Sequence, residues 1–136
     1  MIISTSNERV KYVHSLTRRK ARQEQGHFVL EGLRLIEEAV RAHAPIELIF
    51  YTSEIDERGQ KLVERLHASG MVCLDVTPGV IKFCSETETP PGILAVLPFA
   101  SSLLPVRPTL SVVADALRDP GNLGALMRAA AAAGAD

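Results

Sequence analysis

HFVLEGLRLIEEAVRAHAPIELIFY, residues 27–51, changes its hydrophobic period twice, and those changes decide the fold class. His27–Glu31 is a short apolar run of strand length, and Gly32 turns the chain out of it. Leu33, Ile36, Ala39 and Val40 then recur at helical spacing, with Arg34, Glu37, Glu38 and Arg41 on the opposite side. That pattern is an amphipathic helix with one buried face. Pro45 stops it, because proline lacks an N–H and clashes with the preceding turn. Ile46–Tyr51 is rich in β-formers and reads as a second strand.

The same alternation continues on both sides. Downstream, Asp56 to Ser69 is a helix packing through Leu62, Val63 and Leu66, ended by Gly70. Val72–Val76 is a third strand, Pro78–Cys84 a short helix, Glu86–Gly92 (ETETPPG) a loop, and Ile93–Leu97 a fourth strand. Upstream, Thr5 and Glu8 have capping-box spacing, so a helix is expected from near Asn7 to about Gln23 with Val10, Val13 and Leu16 inward. In one continuous helix Lys11, Arg18 and Arg22 would fall at i, i+7 and i+11 and share a side. Strands alternating with helices predict an α/β domain of three layers, α/β/α, with a largely parallel sheet, over residues 1–98.

Residues 99–108 (FASSLLPVRP) hold two prolines and two serines and read as a linker. The pattern then restarts: Leu110–Asp115 as a strand, Ala116–Gly121 as a turn, Asn122–Ala133 as a helix. One strand and one helix cannot bury their own apolar faces, so 109–136 is expected to be the start of a second, incomplete domain.

Composition narrows the function classes. Hydrophobic residues make up 46% of 136, which excludes a disordered chain. The formal net charge is −1, but residues 1–25 hold six basic side chains (Arg9, Lys11, Arg18, Arg19, Lys20, Arg22) against two acidic ones. A basic arm on an acidic body points to a polyanionic partner, the alternative being a solvated helix face. Cys73 and Cys84 have neither disulfide-framework nor zinc-ligand spacing, and read as free thiols in a reducing cytoplasm. No metal site is expected. The N-terminus lacks the apolar stretch of a signal peptide, and no segment is long enough to span a membrane.

The chemistry concentrates in Asp115–Gly134, DALRDPGNLGALMRAAAAAG. Pro120-Gly121 is a turn signal, Asn122 a good N-cap, and Gly124 leaves room for close approach. Arg128 is the only charge between Asp119 and Asp136. Its helical neighbours Gly124, Ala125, Ala131 and Ala132 make a nearly bare surface, so Arg128 is either a functional cation or a solubilising one. There is no G-x-G-x-x-G after a strand and no G-K-[ST], which excludes the dinucleotide and Walker fingerprints. Gly121-Asn122-Leu123-Gly124 has the G-x-x-G form of KH domains, but a KH loop joins two helices and here a strand leads in.

Val113–Gly124 (VADALRDPGNLG), followed by an arginine six residues past the asparagine, resembles the first motif of the SpoU (TrmH-type) RNA ribose methyltransferases of the SPOUT class. The chain departs from that pattern at Ala125, often Thr or Asn in the family, and in the alanine run 129–133. Ser4, Asn7, Lys11, Leu16, Lys20, Arg22, Phe28, Glu31, Gly32 and Pro91–Val96 resemble that family's accessory substrate-binding domain, which looks like small ribosomal proteins that bind kinked RNA.

The resemblance implies transfer of a methyl group from S-adenosylmethionine to a ribose 2′-hydroxyl in structured RNA, ribosomal or transfer. Asn122 and Arg128 would be the catalytic-motif residues. Asn7, Lys11, Arg18, Arg19, Lys20, Arg22, Glu31 and Gly32 would contact RNA. The cofactor pocket is implied to belong to a knotted region built from two later motifs, absent from these 136 residues, and the whole protein to be a homodimer. A guanidinium stays protonated in nearly every protein setting, so Arg128 would be an unusual base; it would clamp a neighbouring phosphate, stabilise charge on the oxygen, or shuttle the proton in an unusually perturbed state. Two rivals remain at this level. A stand-alone RNA-binding module would explain 1–98 but not 109–136, and a small α/β protein without a nucleic-acid role would leave the basic arm as a solvated face.

Overall fold

A computed structural model describes residues 1–100 and 106–136. The chain divides into two compact units, Met1–Phe99 and Ala100–Asp136. The linker expected over 99–108 falls in part outside the described residues.

The first unit runs α1 (Glu8–Ser15), α2 (Arg19–Gln25), β1 (His27–Glu31), α3 (Leu33–Arg41), β2 (Leu48–Tyr51), α4 (Glu57–Ala68), β3 (Cys73–Asp75), α5 (Pro78–Cys84) and β4 (Ile93–Pro98). Its sheet has the order β1-β4-β2-β3. Only β2 and β3 pair in parallel; β4 lies between β1 and β2 and runs against both. The largely parallel sheet expected from the alternation is therefore corrected to a mixed one. The reason lies in α5, whose seven residues span only about 10 Å and do not carry the chain back across the sheet. The chain re-enters beside the ends of β1 and β2: the Gly92 carbonyl accepts from Thr52 N at 2.9 Å, and the Ile93 carbonyl from Gly32 N at 3.1 Å. Gly92 makes this possible at φ +72, and a Cβ there would stand 3.1 Å from Thr52 Oγ1.

The three layers are as read from the sequence. Val10, Val13 and Leu16 of the N-terminal segment and Val80, Ile81 and Cys84 of α5 pack on Leu48, Phe50, Leu94 and Val96. On the other face Ile36 of α3 and Leu62, Val63 and Leu66 of α4 pack on Ile49, Ile93, Ala95 and Leu97. Ile93–Leu97 are buried throughout, because a central strand covered on both faces has no solvent side.

The single N-terminal helix is corrected to two. Ser15 Oγ and Thr17 Oγ1 donate back to the carbonyls of Tyr12 and His14, and Arg18 is extended at φ −90, ψ 129. Such side-chain bonds compete with helix continuation. The cap is also different from the Thr5 expectation: Asn7 Oδ1 accepts from Arg9 N at 2.9 Å.

In the second unit, α6 spans Pro120–Ala132. Its N-cap is Asp119, whose carboxylate accepts from Asn122 N at 2.6 Å, so Asn122 is inside the first turn and not the cap. Leu110 lies in a bend, and residues 111–115 form no strand. A strand is defined by ladder hydrogen bonds, and among the described residues of this unit no strand pairs with it. Leu110 and Asp136 do meet: Asp136 N donates to the Leu110 carbonyl at 3.0 Å, and the Asp136 carboxylate accepts from Leu110 N at 3.0 Å. No helix of the described residues is long and apolar enough to cross a membrane.

Candidate nucleic-acid interface

The helix break redistributes the basic arm. Lys11 is exposed on α1, and Arg18, Arg19 and Lys20 are exposed where α1 gives way to α2. Two helices separated by a turn share no phase, so the expected row Lys11, Arg18, Arg22 does not exist. Lys20 and Glu24 form an i, i+4 pair at 3.7 Å whose side chains are 87% and 61% exposed, too solvated to neutralise the patch.

Arg22 stands apart from the others. It is half-buried, and its Nη1 donates to the carbonyls of Leu16 at 2.9 Å and Thr17 at 2.7 Å. These carbonyls follow α1, where helix geometry supplies no intrahelical donor. Asn7 is likewise committed, as the α1 cap. Both therefore carry structural work that the sequence reading assigned to RNA.

Glu31 closes β1 and gathers the loop that follows α5. Its Oε2 accepts from Ser85 Oγ at 2.5 Å and Thr87 Oγ1 at 3.3 Å, and its Oε1 accepts from Glu86 N at 3.1 Å. Gly32 stands at φ +99 and leads into α3, a conformation that an L side chain adopts only under strain. Arg22 and Glu31 line one cavity of about 240 Å³, together with Leu16, Thr17, Phe28, Val29, Cys84 and Glu86. Lys11, Arg18, Arg19 and Lys20 are not among its walls. Thr17 and Glu86 are additions that the sequence reading missed, and no local pattern marks them, since 55 residues separate Glu31 from Glu86 in the chain only by way of the sheet.

Neither cysteine sits in surroundings that favour its thiolate. Burial pushes the Cys84 thiol up to about 11, and burial also raises Cys73. Among the described residues no group of three His, Cys, Asp or Glu side chains is placed to hold a metal ion.

In the second unit Arg128 is exposed on α6, and a Cβ added at Gly124 would lie 3.4 Å from its Nη1. The guanidinium thus folds back toward the helix N-terminus over the glycine, the direction helical side chains favour. An open groove of about 350 Å³ lies between this helix and Val112 and Ala114, walled by Leu123, Leu126, Met127 and Ala130. Its one carboxylate, Asp136, is engaged with Thr109 and Leu110. That lining does not fit S-adenosylmethionine, which needs polar partners for its ribose, base and amino acid.

Residues 7–95 match the model of the MRM3-like substrate binding domain. A 23S rRNA (guanosine(2553)-2′-O)-methyltransferase of Bacillus subtilis is 32% identical over 135 residues, 99% of this chain and 52% of that protein. A solved RNA 2′-O ribose methyltransferase superposes with a TM-score of 0.73 at 35% identity, covering 98% of this chain and 52% of that one. An AdoMet-bound rRNA methyltransferase from Sinorhizobium meliloti gives a TM-score of 0.75 at 30% identity, covering 98% and 51%. The chain belongs to the SpoU/TrmH family of RNA 2′-O methyltransferases and carries its N-terminal, substrate-binding region. It spans about half the length of the curated relatives it matches.

Proposed function

We propose that this chain is the RNA-side part of an S-adenosylmethionine-dependent RNA 2′-O-ribose methyltransferase. Residues 1–98 bind structured ribosomal or transfer RNA, and residues 109–136 begin the catalytic domain of the knotted SPOUT type, after a linker at 99–108. The observation that carries the reading is the likeness to a solved RNA 2′-O ribose methyltransferase over 98% of the chain, beyond the substrate-binding domain alone. That extent disfavours a stand-alone RNA-binding module.

On this reading the exposed Lys11, Arg18, Arg19 and Lys20 bind phosphates, whereas Asn7 and Arg22 shape the surface around them. Glu31 and Gly32 present the end of β1. Asn122 sets the first turn of α6. Arg128 orients the target ribose through a neighbouring phosphate or stabilises charge on its oxygen. The methyl donor belongs to the complete protein, since the groove on α6 lacks polar partners for it. The exposed Leu110, Val112, Leu123 and Met127 support assembly as a homodimer with this unit at the contact. The free Cys73 and Cys84 suit the reducing cytoplasm.

The test is methylation of total ribosomal and transfer RNA by a protein of its relatives' length containing this chain, followed by nucleoside analysis. A 2′-O-methylated nucleotide is expected. Methylation confined to a base, or none on any RNA offered, would overturn the reading.

A further inference from the structure

We propose that the cavity beside β1 receives one unstacked guanine base of the bound RNA. This rests on the reading of the first unit as RNA-binding.

Size comes first. About 240 Å³ is below the roughly 300–1,000 Å³ typical of pockets for drug-sized ligands, so the cavity suits one planar ring system and not a whole nucleotide. Leu16, Val29 and Cys84 give it apolar walls, and Arg22, Glu31 and Glu86 give it polar ones. Sequence-specific proteins read single-stranded RNA in this way, splaying a base out and bonding its edge.

The free hydrogen-bonding positions select the base. Arg22 spends both protons of Nη1 on the Leu16 and Thr17 carbonyls. Its Nε–H and Nη2–H, the two parallel donors of the guanidinium fork, have no partner among the described residues. Glu31 accepts two bonds at Oε2 and one at Oε1, which leaves one of about four acceptor positions, on Oε1. A fork of two donors plus one acceptor complements guanine. The fork meets O6 and N7, and the carboxylate takes a proton from the opposite edge. Adenine places a donor where the fork needs an acceptor, and neither pyrimidine has the O6/N7 pair.

The fork also matches a phosphate. The charge of the cavity weighs against that: its lining includes two glutamates, Glu31 and Glu86, and one arginine. A neutral base edge enters such a site more readily than another anion, and the exposed Arg18, Arg19 and Lys20 are open to phosphates. Both recognition groups are held before any ligand arrives, Arg22 by two carbonyls and Glu31 by three donors, so little ordering cost falls on binding.

The experiment uses the 136-residue chain and 5′-labelled heptamers UUUGUUU, UUUAUUU, UUUCUUU and UUUUUUU, with affinity read by fluorescence anisotropy. The guanine heptamer is expected to bind about tenfold tighter than the others, within the range of a bidentate base contact. Replacing its guanine by 7-deazaguanine removes N7 without touching the protein and should abolish most of that preference. Glu31→Gln should reduce the preference while the circular dichroism spectrum stays unchanged. Equal, salt-sensitive binding of all four heptamers would overturn the guanine site and leave the RNA-binding reading standing. No binding of any heptamer or of folded transfer RNA would overturn both. Competition by millimolar inorganic phosphate that erases the guanine preference would identify a phosphate site instead and overturn the proposal.

Discussion

The Arg22 guanidinium and the Thr17 carbonyl, 2.7 Å apart, tie α2 to the end of α1. An arginine that reads in the sequence as one more basic residue of an arm is thus a cap for the helix before it. Arg22→Ala removes a charged donor from two half-buried carbonyls at once. The expected loss is about 1–3 kcal/mol, read as a lower urea midpoint with unchanged slope. A neutral outcome would mean that water replaces the guanidinium fully.

Arg18, Arg19 and Lys20 should behave in the opposite way. Their exposed side chains cap nothing, so replacing all three by Glu should leave the melting temperature within a few degrees. Affinity for structured RNA should fall across sequences, and its dependence on salt should flatten, because fewer counterions are released. Unchanged RNA affinity would return the arm to a plain solvated face.

His27 makes stability depend on pH. Its Nδ1 lies 2.6 Å from the Gln25 carbonyl and its Nε2 3.0 Å from the Glu47 carboxylate, the latter a charge contact more than a well-directed hydrogen bond. Two acceptors around one ring favour the imidazolium, and the Glu47 contact is the main cause that raises the His27 pKa above 6.5. A raised folded-state pKa stabilises fully below the unfolded value, and that contribution disappears as pH rises through the folded one. Urea midpoints should therefore decline from pH 6 upward more steeply in the parent than in Glu47→Gln, where the decline should flatten. Parallel profiles would remove His27 from the account.

Asp119, and not Asn122, caps α6. Asp119→Ala removes the side-chain acceptor of the α6 cap and should cost about 0.5–2 kcal/mol of helix stability, visible as faster amide exchange over residues 122–124. Asn122→Ala should leave that exchange nearly unchanged, because Asn122 contributes its backbone N–H to the cap. Faster exchange in the Asn122 variant alone would reverse the assignment.

Arg128 separates activity from stability. It is exposed on α6 with no hydrogen bond among the described residues, so Arg128→Ala should shift stability by within about 0.5 kcal/mol. In a protein of its relatives' length, single-turnover methylation should fall on the order of a hundredfold. Arg128→Lys should fall nearly as far if the planar fork grips a phosphate. Near-normal turnover in the alanine variant would make Arg128 a solubilising charge.

Short-range patterns were legible in the residues alone. Period and breakers located all four strands of the first unit and the helices α3 to α5, since Pro45, Gly70 and the apolar spacing act within a few residues. The RDPGNLG stretch likewise marked the family through contiguous residues. The remaining features depend on which segments become neighbours in the folded chain. The direction of β4 follows from where the short α5 releases the chain, and periodicity carries no sign of direction. The two helices at the N-terminus follow from the Thr17 and Ser15 back-bonds and the Arg22 cap, which compete with a helix that residue spacing alone favours. The apolar run 110–115 reads as a strand but forms no ladder among the described residues, because a strand exists only through hydrogen bonds to a partner. Arg22, Glu31 and Glu86 share a cavity for the same reason: the chain spreads them over 65 positions, and the packing of α2, β1 and the loop after α5 brings them to one place.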